Sequence, residues 1–448
     1  MHRINILTLF SKTKLNRYLL HIVLIILFFL THIYGCHNSL FQRQTVINYW
    51  TGWSGHELEI QRKIVKRFND THPNIYVNIF SVAGSYEKVK IAFAAGNPPD
   101  VCSAIWAEDL AGYAMRGALI PLDDYLLKSG RSAEEYMPGI WDMFQYNGHT
   151  WALNVTTNSV FIIYNADVFK EAGLNSNRPP ETIAELDAYT DKIAKFDETG
   201  NVIRFGYRPE GILWWGYVFG GSFYDPKTKT VTANHPKNVE ALRWLASYGK
   251  KYDLRKVDSF RSTFTSSLYA STYGGFYGLF SGKVGMIPTG EWCEQFINRY
   301  SKNFNYGYFP APVPLGGRKN TVTVGGSVFV IPKDSKHHDA AWEFLNWITQ
   351  PEQVKEFCVG IENIPPLKVV AQMPEFTNRP IFKFAAELVS GPNAFGPPQM
   401  PVWPEYLDEL SRAEDYAVHG KGDPKDLLDG VTVKIQKSLN EALKYAKY

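Results

Sequence analysis

The stretch Gly278-Leu-Phe-Ser-Gly-Lys-Val-Gly-Met-Ile-Pro-Thr-Gly-Glu-Trp292 predicts a helix end, a buried strand, a tight turn and a new helix. Gly282 suits the left-handed backbone that ends many helices. The run Val284 to Ile287 is apolar and bounded by turn residues, as in a buried strand. Thr289-Gly290 then makes the turn, and the free N–H groups of the next helix follow it. The pattern therefore predicts an α/β unit in which Trp292 stands just beyond a strand.

Trp292 is the first candidate for a ligand contact. In open α/β sheets, ligands bind beyond the carboxyl ends of the strands, and an aromatic ring at that place can serve as a platform. Trp is also usually mostly buried, so packing in the core is an equally good interpretation. Position alone leaves both interpretations open.

The overall composition indicates a globular chain that can hold two or three domains. It has 448 residues, of which 45% are hydrophobic and 20% are charged. The formal net charge is +3, and such a small excess does not indicate nucleic-acid binding. The chain carries 12 Trp, 26 Tyr and 28 Phe. These rings suit sugar binding, protein interfaces and ordinary cores alike.

No sequence pattern predicts a metal site or a cofactor. The four cysteines, Cys36, Cys102, Cys293 and Cys358, form no Cys-x-x-Cys pair, so a zinc or redox site is not expected. The run His56 to Ile60 begins like the helical zinc motif, but an Ile stands where the second His must be. The glycine patterns of nucleotide sites and the Gly-x-Ser-x-Gly elbow do not occur in the sequence. We therefore expect no cofactor and no metal. Asp and Glu are plentiful, so a carboxylate pair that cleaves glycosides is not excluded by the sequence, although no pair is marked as special.

The N-terminal sequence predicts export. Lys and Arg residues between positions 12 and 17 precede an apolar run, Tyr18 to Leu30, of the length of a signal-peptide core. The next segment, Ile33-Tyr34-Gly35-Cys36, resembles the bacterial lipobox, which implies cleavage before Cys36 and a lipid on its sulfur. An uncleaved anchor with the same topology is the alternative. In either case we expect the remaining chain at the outer face of the plasma membrane or in the periplasm.

Strand and helix patterns alternate in the segment that follows. Thr45 to Trp50, Ile75 to Ile79 and Val101 to Ile105 have the apolar patterns of strands. Ser54-x-x-Glu57 and Thr182-x-x-Glu185 match the capping box that opens helices. The alternation predicts an α/β fold with a mostly parallel sheet covered by helices on both faces.

Four blocks of sequence carry a family resemblance in one order along the chain. They are Asn48-Tyr-Trp50 with Phe68-Asn-Asp and His72-Pro-Asn-Ile75; Tyr86-Glu-Lys88 with Ala94-Ala-Gly-Asn-Pro-Pro-Asp-Val101 and Leu119-Ile-Pro-Leu-Asp123; Ile163-Tyr-Asn165 with Pro180-Glu-Thr-Ile-Ala-Glu-Leu186; and Phe280-Ser-Gly-Lys-Val-Gly-Met286 with Gly290-Glu-Trp292 and Ala340-Ala-Trp-Glu-Phe-Leu345. Together they resemble the family 1 extracellular solute-binding proteins, the maltose-type receptors of ABC importers. The resemblance covers nearly the whole exported chain.

The resemblance implies the type II periplasmic-binding-protein fold, in which two discontinuous α/β lobes are joined by crossover strands. It divides the chain into a signal peptide (1–35), a tether (36–44), a first lobe (45–160 with 308–348) and a second lobe (161–307 with 349–448). The crossovers are then expected near Ser159 to Tyr164, near Asn305 to Pro310 and near Thr349.

The resemblance also implies sugar-contacting residues on both lobes. Trp106, with Glu108 or Asp109, matches the first-lobe segment where an aromatic ring stacks on sugar and a carboxylate accepts hydroxyl protons. Gly290-Glu291-Trp292 matches the segment that supplies the stacking ring of the second lobe. Trp403 matches a further stacking aromatic near the C-terminus.

Six more positions belong to the expected site. They are Trp53, Glu57, Trp214, Trp215, Gly326 and Ser327. Trp53 follows the first strand, where the family often contacts ligand, but it can instead pack on Leu58 as a hydrophobic staple. Trp214 and Trp215 lie in a stretch that matches the family's further aromatics only loosely.

The resemblance implies a monomeric, lipid-anchored receptor that binds a sugar between its lobes and delivers it to ABC permease subunits in the membrane. A secreted glycan-active hydrolase that uses the same aromatic residues is the alternative, and a binding lipoprotein without a transporter of its own is a third. Phosphate and polyamine ligands also occur in this broad family. A phosphate site would need clustered Arg, and Arg208 is the nearest one to the expected cleft.

Overall fold

The computed structural model describes residues 44–264 and 276–447. The predicted signal peptide (1–35), the lipidation site Cys36 and the tether residues 36–43 lie outside the described residues. Within those two ranges, no helix combines the length and the apolar character needed to cross a membrane.

The described strands are numbered here in chain order. They are β1 (Thr45–Thr51), β2 (Ile75–Ser81), β3 (Val101–Trp106), β4 (Gln145–Tyr146), β5 (His149–Thr150), β6 (Asn158–Asn165), β7 (Lys195–Phe196), β8 (Val202–Arg204), β9 (Tyr224–Asp225), β10 (Thr230–Val231), β11 (Met286–Thr289), β12 (Tyr306–Phe309), β13 (Val322–Gly325), β14 (Ser327–Val330) and β15 (Ala394–Phe395).

The α-helices are numbered in the same way. They are α1 (Gly55–Thr71), α2 (Tyr86–Ala94), α3 (Leu110–Met115), α4 (Asp123–Lys128), α5 (Ala166–Glu171), α6 (Ile183–Ile193), α7 (Ile212–Phe219), α8 (Pro236–Lys251), α9 (Leu254–Ser262), α10 (Tyr277–Phe280), α11 (Cys293–Tyr300), α12 (His338–Ile348), α13 (Pro351–Ile361), α14 (Lys368–Ala371), α15 (Pro374–Thr377), α16 (Pro380–Val389), α17 (Trp403–Val418) and α18 (Pro424–Lys444). Single 3₁₀ turns lie at Ala107–Asp109, Ala133–Glu135 and Trp141–Phe144.

The first sheet has the strand order β14-β3-β1-β2, in which β1, β2 and β3 are parallel and β14 is antiparallel to β3. Apolar side chains of α1 at intervals of three and four residues, among them Ile60, Ile64 and Phe68, are buried against it. The parallel sheet that the alternating pattern predicts is therefore present in this lobe.

The second sheet differs from the prediction of a mostly parallel arrangement. The long strand β6 pairs antiparallel with β11, β12 and β13, and only β13 and β15 are parallel. Alternate residues of β6 face opposite sides, so Phe161 joins the core that includes the first sheet while Ile162 joins the core of the second lobe. The central residues Val160 to Ile163 of β6 are all apolar because both faces of the strand are covered.

Two strands carry the chain between the sheets. Leu153 bridges to Phe329 of the first sheet, and β6 begins five residues later in the second sheet. In the reverse direction, only Gly326 separates β13 of the second sheet from β14 of the first. Gly326 has a positive φ of 144°, a conformation that side chains disfavour. This crossing lies later in the chain than the expected one at Asn305 to Pro310, because β12 pairs with β6 inside the second lobe.

The third crossing also lies later than the expected position near Thr349. Helix α13 packs against α1 of the first lobe, and Leu367 bridges to Tyr136. Helix α16 instead packs against β6 and β13 of the second sheet, where its Phe384 ring lies 5.1 Å from that of Phe161. The packing therefore favours a lobe boundary between residues 367 and 380.

Two helix starts test the capping-box predictions. At α6 the box is formed: the Thr182 hydroxyl accepts from the N–H of Glu185, and the Glu185 carboxylate accepts from the N–H of Thr182. At α1, Ser54 is the N-cap residue, but its side chain accepts no capping hydrogen bond. The second capping box is confirmed and the first is wrong.

Candidate ligand-binding site

The carboxyl ends of the three parallel strands meet at one edge of the first sheet. Thr51 pairs with Ser81 and with Ser103, so β3 extends three residues further and carries Trp106 beyond its neighbours. The Trp106 side chain is 38% exposed. This edge is where ligands bind in open α/β sheets.

Trp106 shares this edge with a second aromatic ring. The centroid of the Tyr86 ring lies 6.4 Å from that of Trp106, at a tilted angle. The Tyr86 ring packs over Gly52, where a Cβ atom would lie in van der Waals contact with it, at 3.4 Å. The first lobe thus presents two neighbouring rings, one of them with a hydroxyl group, toward the end of the sheet.

Two carboxyl groups follow Trp106 in a 3₁₀ turn. Burial raises the pKa of both Glu108 and Asp109 above the usual range. For Asp109 the positive charges of Lys90 and Arg116 act in the opposite direction. The negative charge of Asp408, on α17 of the second lobe, contributes to raising the pKa of Lys90. The two lobes therefore present charged groups toward each other at this edge.

On the second lobe, Trp292 lies directly after the turn that follows β11. Its side chain is half-buried and its ring covers Gly290. A Cβ atom at Gly290 would lie 2.0 Å from the Trp292 ring and 2.2 Å from the carbonyl oxygen of Ser159. Only glycine permits this approach, so the packing of the Trp292 turn against β6 depends on Gly290.

The crossing strands connect the two tryptophans. Trp106 pairs with Ser327, and the N–H of Ala107 donates to the carbonyl oxygen of Gly326 at 3.2 Å. The preceding residue, Gly325, pairs with Asn158 of β6. Asn158 is next to Ser159 in the chain. The turn that carries Trp292 lies against the carbonyl group of Ser159. Trp106 and Trp292 therefore flank the same pair of crossing strands, one from each lobe.

Two polar side chains at the crossing make no hydrogen bond to another described residue. The Ser327 hydroxyl is buried and has no hydrogen-bond partner within the described part of the chain. The Asn158 amide has none among residues 44–264 and 276–447 either, and its oxygen lies 3.5 Å from where a Cβ of Gly325 would be. Sequence reasoning missed Asn158, because a single Asn at the start of an apolar strand gives no signal of its own.

Three of the expected stacking rings lie inside the second lobe. Trp215 and Trp403 are buried at 0% and 1% exposure, and Trp214 is 6% exposed, with its indole N–H donating to the carbonyl oxygen of Thr321. None of them offers a free face to a ligand. Their sequence positions are aromatic because α7 and α17 pack across the same core.

Trp53 and Glu57 remain at the sheet edge. Trp53 is half-buried and meets Phe357 of α13 edge to face, with 5.5 Å between the ring centroids. Its indole nitrogen is buried without a partner among the described residues. Glu57, which forms no capping box with Ser54, is partly exposed in the first turn of α1.

Glu291 has a different environment from the one that a ligand contact requires. Its side chain is completely buried, and its carboxylate accepts from the Ser159 N–H and hydroxyl at 3.3 and 3.1 Å and from the Ile364 N–H at 3.5 Å. Burial raises the pKa of Glu291 to about 7, although these hydrogen bonds act against the increase. The structure therefore directs this carboxyl group into the protein rather than toward a ligand.

The arginines near the expected cleft are already paired. Arg208 is buried, lies 3.4 Å from the Asp258 carboxylate and donates to the carbonyl oxygen of Pro209. Arg261 makes two hydrogen bonds to the Glu210 carboxylate, at 2.7 and 2.9 Å. Among the described residues, no group of three His, Cys, Asp or Glu side chains is placed to hold a metal ion.

Comparisons of this chain with known proteins point to the same protein family. A sequence model described as bacterial extracellular solute-binding protein matches residues 63–384. A maltotriose-binding protein of Pyrococcus abyssi is 23% identical over 337 residues, which are 74% of this chain and 69% of that protein. An sn-glycerol-3-phosphate-binding periplasmic protein of Shigella flexneri is 24% identical over 339 residues, 70% of this chain and 73% of that protein.

A solved structure supports the same grouping. The protein CpMnBP1 with mannobiose bound is 27% identical, with a TM-score of 0.77, over 88% of this chain and 100% of that one. The likeness therefore extends through both lobes and the strands that join them.

Proposed function

The chain belongs to the bacterial extracellular solute-binding proteins, and from this we propose that it is an exported receptor that binds a sugar between its lobes. Its α/β fold is the two-lobed periplasmic-binding-protein architecture that the sequence predicts. The relatives described above are binding proteins rather than enzymes.

The proposal rests on the strand crossing, where Trp106 pairs with Ser327 and Gly325 pairs with Asn158, next to the Ser159 carbonyl group beside the Trp292 turn. A pyranose ring has an apolar face that an indole can cover and a rim of hydroxyl groups. The buried Ser327 hydroxyl can donate and accept, and the Asn158 amide offers both functions as well. A ligand that pairs with the buried hydroxyl recovers about 1–3 kcal/mol that an unpaired buried group costs.

The assignment of a sugar as the ligand rests on the relatives as well as on the geometry of the site. The structural relative holds mannobiose, and a sequence relative is named for maltotriose. Phosphate is less suited, although one relative binds sn-glycerol-3-phosphate. Arg208 and Arg261 already pair with carboxylates, and the charge of Arg116 acts on Asp109, whereas a phosphate site needs clustered guanidinium groups at the ligand.

The remaining parts of the proposal extend beyond the site. We assign delivery of the ligand to ABC permease subunits, anchoring through a lipid on Cys36 and a monomeric state. In the site we include Trp106, Trp292, Glu108, Asp109 and Asn158. The expected contacts Trp53, Glu57, Gly290, Gly326 and Ser327 complete it. A secreted glycan hydrolase is the alternative function.

The test is a calorimetric titration with mannobiose, maltotriose and sn-glycerol-3-phosphate, combined with a reducing-sugar assay. We expect a dissociation constant near the micromolar range, about −8 kcal/mol, for at least one sugar. Asn158→Ala should weaken that binding without loss of the folded state. Release of reducing ends from the oligosaccharides would support the hydrolase instead, and binding of only the phosphate ester would overturn the sugar assignment.

A further inference from the structure

Glu291 is a completely buried carboxyl group at the place where three parts of the chain meet. It lies between Gly290 and Trp292 in the turn after β11. Its partners are Ser159 of the crossing strand β6 and Ile364 in the segment after α13. The side chain therefore connects the Trp292 turn with a crossing strand and with a segment that packs on the first lobe.

The groups that surround the Glu291 carboxyl are donors. Two backbone N–H groups and one hydroxyl face its two oxygens, and a carboxylate can accept from all of them. A neutral carboxyl group turns one oxygen into a donor, so only the Ser159 hydroxyl can rotate to accept from it. The hydrogen-bond geometry is thus fitted to the carboxylate, while burial favours the neutral acid.

The other titratable groups near Glu291 do not compensate its charge. On α13 it faces the thiol of Cys358, whose pKa burial raises strongly. On α11, Cys293 is buried and its pKa is raised in the same way. Arg379 pairs with both Glu294 and Glu362, so its single positive charge is already engaged by two carboxylates. The strands β6, β11, β13 and β14 bring no charged side chain to the carboxyl group.

We propose that Glu291 is a positioning residue that holds Trp292 on the crossing strand, and that protonation of Glu291 lowers the affinity for the ligand. The proposal rests on the proposed function, because it takes Trp292 as a ligand contact. When the carboxyl group becomes neutral, the hydrogen bonds from Ser159 and Ile364 lose the assistance of the negative charge and become weaker. The turn is then held less firmly, and the Trp292 ring is less well placed for stacking.

The first test is the pH dependence of mannobiose binding, measured by calorimetry at about pH 6, 7 and 8. The wild-type dissociation constant should rise about fivefold from the highest to the lowest pH, the scale of one lost hydrogen bond. Glu291→Gln, which has one acceptor oxygen in place of two, should bind weakly at every pH. Glu291→Asp should restore the pH dependence.

Asp100→Asn is the matched control for Glu291→Gln. Asp100 is also buried and accepts from one backbone N–H, of Asn48, and one hydroxyl, of Ser335. It precedes β3 and therefore lies at the end of the first sheet opposite Trp106. We expect this variant to keep the wild-type pH profile. Equal affinity of Glu291→Gln and wild type at the highest pH, or an unchanged profile in that variant, would overturn the proposal.

A second test does not need the ligand. The fluorescence emission of Trp292 is obtained at each pH by subtracting the spectrum of a Trp292→Phe variant from that of the same protein with Trp292. This is done for the wild type and for Glu291→Gln. The emission should change near neutral pH in the wild type and stay constant in the Glu291→Gln background. If the Trp292 emission of the wild type does not change with pH, the proposal is overturned. If the emission changes with pH but mannobiose does not bind, the positioning role stands and only the ligand assignment has failed. If Glu291→Gln does not fold, Ser159→Ala should move the midpoint to higher pH, because the carboxylate loses one donor, and an unmoved midpoint counts against the proposal.

Discussion

At the scale of single residues, glycines decide where the functional side chains stand. Gly290 allows the Trp292 ring and the Ser159 carbonyl group to approach its backbone, and Gly326 adopts a positive φ between two strands of different sheets. Any side chain at Gly290 would displace the Trp292 ring. The position of the Trp292 ring therefore depends on the absence of a side chain at Gly290.

The first prediction concerns Trp292 itself. Trp292→Ala should lower sugar affinity by roughly 1–3 kcal/mol, the scale of stacking on an aromatic face, because the ring is half-buried beside the crossing strands. Its effect on the melting temperature without ligand should be small. Trp403→Ala is the matched comparison: that ring is 1% exposed, so its loss should cost about 3–5 kcal/mol of stability through a cavity. A Trp292 variant that is strongly destabilised yet binds normally would exclude a stacking role.

The second prediction concerns stability and pH. The pKa of Glu291 is raised to about 7 from 4.5 by burial, so the folded chain holds this proton more tightly than the unfolded chain. Unfolding free energy should therefore increase as the pH falls from about 7 to about 4.5, by up to about 3 kcal/mol from this one group. Glu291→Gln should remove that part of the profile in denaturant titrations. Identical profiles of variant and wild type would show that Glu291 does not titrate in this range.

This stability effect runs opposite to the proposed effect on binding. Acidification should stabilise the folded chain while it weakens the hold on Trp292. A loss of affinity in a protein that has become more stable is not explained by partial unfolding. The two profiles together therefore separate positioning from simple acid damage.

At the scale of elements, helix starts offer a direct comparison between two similar sequence motifs. Thr182→Ala should destabilise the protein by about 1 kcal/mol, because the Thr182 hydroxyl accepts the Glu185 N–H at the start of α6. Ser54→Ala at the start of α1 should have a smaller effect, since the Ser54 side chain forms no cap. Denaturant titration of both variants measures this. A larger loss for Ser54→Ala than for Thr182→Ala would contradict the hydrogen-bond assignment.

The sequence predicts much of the element order for a physical reason. Local signals such as the apolar alternation of β2, the Thr182 cap and the Gly282 helix end depend on neighbours within a few residues. Gly282 does adopt a positive φ, of 70°. Elements whose formation depends on such local contacts can be predicted without the fold.

Long-range arrangements are harder to predict. The apolar pattern of β6 shows that both faces are buried but not that its partners run antiparallel. The burial of Trp403 and Trp215 depends on how α17 and α7 pack together, and the inward direction of Glu291 depends on Ser159, which is 132 residues away. Asn158 becomes a candidate only once Gly325 is known to pair with it and Ser327, two residues later, with Trp106. The site residues that the sequence misplaces are those whose role is fixed by distant segments.

At the scale of the whole molecule, the fourth prediction concerns attachment to the membrane. Gly35-Cys36 follows an apolar run, so Cys36→Ser should prevent processing by lipoprotein signal peptidase and leave the precursor at full length. Immunoblotting of membrane and soluble fractions measures both size and partition. A variant that matures to the wild-type size and stays with the membrane would exclude lipidation at Cys36.

The lobes touch each other in this structure on both sides of α3. The N–H of Lys447, after α18, donates to the carbonyl oxygen of Met115 at 2.9 Å. A Cβ atom at Gly112 would lie 3.2 Å from the carbonyl oxygen of Pro401. Because these contacts join segments of different lobes, any opening around the crossing strands must break them. Helix α17 also contacts the 3₁₀ turn Ala107–Asp109, so opening must separate these elements as well.

The last prediction is that sugar shifts the molecule from open to closed forms. Ligand that touches Trp106 and Trp292 together gains contacts only in the closed form, and such a difference in affinity is what moves a conformational equilibrium. A nearly complete shift, from 1:99 to 99:1, requires about 5.5 kcal/mol of preference for the closed form. Two stacked rings and the hydrogen bonds at Asn158 and Ser327 are of this order. Small-angle X-ray scattering should therefore give a smaller radius of gyration with saturating mannobiose, and Trp292→Ala should require more ligand for the same change. An identical scattering profile with and without bound sugar would show that the lobes are already closed in the free receptor.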